Sequence, residues 1–206
     1  GEERRTWETF RGKIAIPEGK TWEDYVKLRW MEITCGEAPF MTSRYDTTTG
    51  RAIHIEDRIG FLDRKLRIVN ENTCNREDWF DAAVTAYQTS RAYEWQGDNL
   101  LLARESLLYT FIDNYEYKFG ERPDHELVRE IADIISWNVW QMDGLKGVIP
   151  NSCHDVENRN LYGEIERTPC PGCKTNNIHN HNGIPVLLKA FSSGNTYPFH
   201  LLSKKR

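Results

Sequence analysis

Long apolar runs are what this 206-residue chain most plainly lacks: no stretch approaches the ~20 uncharged apolar residues of a membrane-spanning helix. The start, Gly1-Glu2-Glu3-Arg4-Arg5, has no apolar run behind its charges. No secretory signal is expected there, Gly1 in place of Met reads as a cloning scar, and an intracellular protein is expected. Cysteines are few, five in all, and disulfide staples are not needed. At this size folding hides roughly 70% of the surface of the unfolded chain, and 7 Trp, 9 Tyr and 8 Phe supply large groups for a core. Familiar catalytic signatures are scarce as well. There is no glycine-rich phosphate loop, no Gly-x-Ser-x-Gly elbow, no glycine-rich first turn of an S-adenosylmethionine-binding sheet and no Asn-Pro-Pro-Tyr type of motif for a flipped adenine. Internal repeats and low-complexity tracts are absent too. With 39% hydrophobic and 28% charged residues and a mean hydropathy of −0.68, the chain reads as one globular domain or two small ones.

Neither sign of charge dominates overall. The 27 basic and 31 acidic side chains leave −4, which argues against a general nucleic-acid binder. The sum hides a pattern, because residues 1–67 carry +1, residues 68–146 carry −8 and residues 147–206 carry +3. Either the middle acids form a solvated outer face of helices, or the less acidic flanks face a polyanion while those helices point away.

Local signals divide the chain into three parts: a β-containing segment 1–70, a helical core 71–147 and a Cys/His-rich lobe 148–206, together one compact α+β unit. Thr21 is a candidate N-cap, with Glu23 and Asp24 in the first turn, for a helix Trp22 to Trp30. Met31-Glu32-Ile33 begins like a strand and runs into Gly36 and Pro39. Asp46 to Gly50 suits a hairpin connection before the alternating Ala52-Ile53-His54-Ile55. Leu62 to Val69 fits a helix or a strand equally well. Beyond it, Asn75 can cap one helix, and Asp98 or Asn99 starts a second that Gly120 stops. Pro123 and Asp124 open a third, which Gly144 ends. The second, with Leu101, Leu108, Ile112 and Tyr115 on its stripe, is expected to be central and buried. Three such helices with short loops predict a bundle.

The sharpest chemical signal is Cys153, Cys170-Pro171-Gly172-Cys173 and His179-Asn180-His181. Cys-x-x-Cys with Pro and Gly inside is the knuckle that lets two thiolates reach one zinc. Cys153 and either His179 or His181, with His154 as a competitor, would close a structural site with no open coordination position. Metal binding would then stabilise a segment with too few periodic apolar residues to fold alone. A redox pair is the alternative, but such pairs sit where a strand enters a helix. His179-Asn180-His181-Asn182 also has the letters of an HNH nuclease, without the spaced ββα element that chemistry needs. A second constellation, Asp46 with Asp63-Arg64-Lys65, has the residues of a restriction-type nuclease. There two carboxylates on strands hold magnesium and the lysine polarises the attacking water; an exposed Asp63 and Lys65 is the plainer reading. Third, Tyr93-Glu94-Trp95-Gln96-Gly97-Asp98-Asn99 sets an aromatic, amide-bearing loop at a helix N-terminus, able to stack on a base or, equally, to form a packing corner. Asn138 and Gln141 read as core hydrogen-bonding groups.

Whole phrases of the chain are familiar. Glu32-Ile33-Thr34-Cys35-Gly36-Glu37-Ala38-Pro39-Phe40, Ser43-Arg44-Tyr45-Asp46-Thr47-Thr48-Thr49-Gly50, Leu62-Asp63-Arg64-Lys65-Leu66-Arg67, the run from Tyr93 to Arg104 and the run from Ile135 to Gly147 resemble phage and bacterial proteins called restriction endonuclease subunit M. These are methyltransferase-associated polypeptides of restriction-modification systems. The resemblance spans roughly Trp22 to Gly183 and implies a DNA-linked role in the cytoplasm of a bacterial host, as the recognition or accessory portion beside a methyltransferase. Three expectations follow. The first is a DNA-binding accessory module, with Arg64, Lys65, Arg67, Trp95 and Asn99 as contact residues and structural zinc. The second is a magnesium-dependent nuclease using Asp46, Asp63 and Lys65. The third is a phage protein that binds a host defence protein through its acidic middle.

Overall fold

Local capping starts the first element. The Thr21 hydroxyl accepts from the Asp24 amide, and the Asp24 carboxylate accepts from the Thr21 amide, a capping box that opens α1 (Trp22–Val26). The helix stops short of the expected Trp30, because Trp30 already belongs to β1 (Trp30–Ile33). The computed structural model describes residues 12–46 and 48–202; the expected start Gly1 to Arg5, and Thr47 of the expected hairpin turn, lie outside the described residues. Around that turn, the Asp46 amide donates to Arg51 O, and Gly50 takes a φ of +68° and donates to Asp46 O. The strand expected at Ala52 to Ile55 is reduced to a single bridge, Tyr45 to Ala52, followed by a 3-10 turn, Ile55–Asp57.

The run that fitted helix or strand equally is helical: α2 spans Phe61–Asn72, with Leu62, Leu66 and Val69 fully buried. Its N-terminus is fixed by Asp63, whose Oδ2 accepts from the amides of Gly60 and Ser43. Helix α3 (Arg76–Gln88) begins at the expected cap, the Asn75 side chain accepting from the Asp78 amide. Next comes β2 (Ser90–Glu94), then α4 (Gly97–Phe119), stopped by Gly120 at φ +73°. Finally α5 (His125–Asn138) runs without a break into β3 (Val139–Gln141). Two expectations are corrected here. The third helix ends at Asn138 rather than at Gly144, and Leu101 of the central helix is 66% exposed, the buried face being Leu100, Ala103, Leu107, Phe111 and Tyr115.

The bundle is also corrected, to helices on a parallel sheet. The strands lie in the order β1-β2-β3, all parallel, with Trp30 opposite Ser90 and Ala92 opposite Val139. The first segment therefore supplies one edge strand to a sheet whose other strands come from the middle of the chain. Each crossover is a helix pair, α2 and α3 and then α4 and α5, as parallel pairing demands a long connection. Alternation sorts the side chains: Ala92 and Val139 enter the helical core, while Tyr93 faces away from it. Asn138 ties the sheet to the helices, its Nδ2 donating to the carbonyls of Tyr87, Gln88 and Ser90.

The C-terminal lobe adds two hairpins, β4 (Val156–Arg159) with β5 (Ile165–Thr168) and β6 (Leu187–Lys189) with β7 (Thr196–Pro198), and the one-turn helix α6 (Pro171–Thr175). The second hairpin and the 3-10 turn after it cover the far face of the sheet, where Tyr93, Met142, Val186, Leu188 and Phe199 form a small second core. Among the described residues no helix is long and apolar enough to cross a membrane. Most acids of the middle segment, among them Glu77, Asp81, Glu105, Glu116, Glu126 and Glu130, lie on the solvent side of α3, α4 and α5, while Glu94 and Asp143 are buried.

Candidate metal centre

Cys170 sits at the start of α6, and Pro171 occupies its first position with φ already set for a helix. That single turn brings Cys173 to the same side as Cys170. Gly172 between them is required for a steric reason: a Cβ there would lie 2.5 Å from the His181 amide nitrogen and 2.6 Å from its ring. Cys153 is carried in by a separate stretch. Ile149 donates to Ile184 O, Val148 bridges Pro185, and the Asn182 side chain both donates to His154 O and accepts from the His154 amide. Gly183 allows this approach, since a Cβ on it would stand 3.1 Å from the Cys153 sulfur.

The result is a Cys3His cluster of Cys153, Cys170, Cys173 and His181 with all four ligand atoms within 4.8 Å of one another. His181 Nδ1 is 3.6 Å from Cys153 Sγ and 3.7 Å from Cys170 Sγ and Cys173 Sγ. A tetrahedral ion with sulfur at ~2.3 Å and nitrogen at ~2.0–2.1 Å requires a sulfur-to-nitrogen edge of about 3.6 Å. The donor set could therefore hold one tetrahedral metal ion, such as zinc. Protonation favours it as well. Burial pushes the Cys170 thiol up, but the Asn182 and Cys173 amides and the His181 ring outweigh that and lower it to about 6, which favours the thiolate a metal ion takes. Burial, with Cys170 and Cys173 beside it, holds the Cys153 thiol at about 11 until a cation is present. The fourth donor of the cluster is thus His181. His179 turns away, its ring edge against His200 at 5.6 Å, and His154 is exposed. The β4–β5 hairpin lies between Cys153 and Cys170, so an ion in the cluster would clamp the hairpin's base.

The magnesium constellation is not assembled. Asp63 and Lys65 stand on a helix, not on the strand that chemistry needs, and both are buried. The Lys65 ammonium donates to Leu28 O, Thr89 Oγ1 and Ser90 Oγ, stitching α1, α2 and β2 together. Asp46 is in an exposed turn, its Oδ1 taken by the Thr48 and Thr49 amides. The expected DNA contacts are scattered as well. Lys65 has no exposed surface, Arg67 pairs with Glu71 at 2.9 Å, and Arg64 lies over the Trp30 ring at 5.1 Å. Trp95, 40% exposed, follows β2 directly, and Asn99 lies in the first turn of α4.

Composition and spacing did not reveal the two ends of the sheet. At the amino end a groove is lined by Arg29, Trp30, Arg91, Phe191 and Tyr197. At the carboxyl end, Glu32 and Glu94 line a cleft. Burial pushes the Glu32 carboxyl up to about 7. Folding thus favours its protonated form, and the stability this gives at low pH is lost as pH rises through the window from about 4.5 to 7. Glu32→Gln is expected to raise the melting temperature at pH 8 by roughly 2–4 °C, for about 1 kcal/mol after discounting for partial exposure, and to change it little at pH 4. An equal shift at both pH values would contradict this.

No family model matches the chain, and no curated protein or solved structure is significantly similar to it.

Proposed function

We propose that the chain is a DNA-binding accessory module of a restriction-modification or related phage system, stapled by structural zinc. The groove at the amino ends of β1 and β2 carries this reading. Its charged lining residues are Arg29 and Arg91, with no carboxylate beside them. Arg29 is exposed, and Arg91 is oriented by donating to Lys189 O. Phe191 and Tyr197 supply ring faces next to these cations, and Lys189 lies over the Phe191 ring at 5.3 Å. Cations that take phosphates beside aromatic faces that take bases are what an unpaired strand needs. Most exposed acids of α3, α4 and α5 would point away from the strand, which reconciles a net charge of −4 with a polyanionic ligand; Asp133 of α5 is the exception, paired with Lys189 at 3.7 Å. Zinc is favoured by three sulfurs and one imidazole in a closed tetrahedral set.

The test is a gel-shift titration over a salt series. The double variant Arg29→Ala, Arg91→Ala is expected to flatten the slope of log affinity against log salt by ~1.4 on single strands, or ~1.8 on duplex. No binding by the wild type at low salt, or an unchanged slope, would overturn the reading. A host defence protein as partner is the second reading, favoured by the exposed acids of the helices. It predicts a tight protein complex from host lysate in a chain with no affinity for DNA.

A further inference from the structure

The strand ends opposite the groove have the reverse character. Outside the carboxyl ends of β1 and β2 lies a cleft of about 610 Å³, lined among others by Glu32, Cys35, Gly36, Phe40, Glu94 and Asn99. The cleft opens where the parallel strands β1 and β2 end and the loops that follow them leave the sheet. The volume lies in the range of small-molecule sites. The turn after β1 takes Gly36 at φ +56° and Ala38 at φ +63°, and it is braced against the second strand. Gly36 N–H donates to Glu94 Oε2 at 2.8 Å, and Gln96 N–H donates to Glu94 Oε1 at 3.0 Å. Glu94 is only 6% exposed and is held rigidly, with a lone pair on each oxygen left for a ligand.

The lining specifies what that ligand offers. Its acidic residues are Glu32, Glu37 and Glu94, of which Glu32 is raised by burial to about 7, and no Lys or Arg lines it. Such a cleft accepts hydrogen bonds and repels phosphate. One Glu32 oxygen is buried with no hydrogen-bond partner, a polar atom that a ligand's polar group would satisfy. Phe40, 69% exposed, and Tyr45, whose hydroxyl donates to Glu37, present ring faces at the rim. Asn99 adds an amide able to donate and accept.

We propose that this cleft binds a ribonucleoside without phosphate, its vicinal ribose hydroxyls donating to Glu94 and its base lying against Phe40. This site is separate from the cationic groove, and either can fail without the other. Calorimetric titration of the full chain with adenosine, guanosine, cytidine and uridine, and with the 2′-deoxy and 5′-monophosphate form of whichever binds, tests it. One ribonucleoside is expected to bind below ~1 mM. Its deoxy and monophosphate forms should each bind about tenfold or more weakly, a difference of ~1.4 kcal/mol. Because Glu94 also braces two loops, the variant of choice is the exposed Phe40→Ala, expected to weaken binding about fivefold or more with the melting temperature unchanged. No binding by any of the four, equal binding of the deoxy or monophosphate form, or an unaltered affinity in Phe40→Ala would overturn the proposal.

Discussion

Cys170→Ser is expected to abolish metal binding by the cluster and to unfold residues 150–184 locally, while leaving the parallel sheet and α2 to α5 intact. Residues 150–184 contain two short strands, one helical turn and no buried apolar cluster of their own; Ile178 packs against the second core, and Val148 and Val186 lie at their margins. The cluster joins three stretches that otherwise meet through a few hydrogen bonds, namely Cys153, the knuckle and His181. Structural zinc supplies about 10–16 kcal/mol of folding free energy in small peptides at neutral pH. No contact left in the lobe approaches that. Hydrogen exchange should show amide protection lost from residues 150–184 and retained in α3, α4 and β2. Chelation of the wild type should give the same pattern. Unchanged protection of the lobe after metal removal would mean that hydrogen bonding alone holds it.

Trp79→Ala should be the most damaging change in the helical core. The Trp79 indole is fully buried, its ring centroid 5.4–5.8 Å from those of Phe111, Tyr115 and Phe119, and its Nε1–H donates to Asn70 at 2.7 Å. Removal leaves a large cavity between α3 and α4 and orphans the Asn70 acceptor. A loss of about 3–5 kcal/mol is expected, or roughly 10 °C or more in melting temperature at this chain length. Trp79→Phe, which keeps the ring packing and loses the hydrogen bond, should cost well under half as much. A loss below ~1 kcal/mol for Trp79→Ala would contradict the packing described.

What could be foreseen from the residues was what neighbouring residues decide. Thr21, Asn75 and Gly120 act on their own turns, and each caps or stops a helix where expected. The knuckle Cys170-Pro171-Gly172-Cys173 is likewise local, and so is the Asp46 to Gly50 turn. The parallel sheet was hidden because its strands are only three to five residues long and their partners lie some 50 to 60 residues away. Val139 to Gln141 continues an apolar helical pattern without a break, so periodicity could not mark where helix gives way to strand. Residues 62–69 were ambiguous for the same reason, and only the burial of Lys65 among backbone carbonyl and hydroxyl oxygens distinguishes a structural lysine from a catalytic one. The choice between His179 and His181 depended on which ring Gly172 admits, a contact between residues nine apart that spacing alone does not decide.

The metal centre is most directly tested by metal content in two histidine variants. Elemental analysis of the purified chain should find one zinc per molecule in the wild type and in His179→Ala, and much less than one in His181→Ala. Full zinc content in His181→Ala, or its loss from His179→Ala with the fold intact, would contradict the Cys153, Cys170, Cys173 and His181 site.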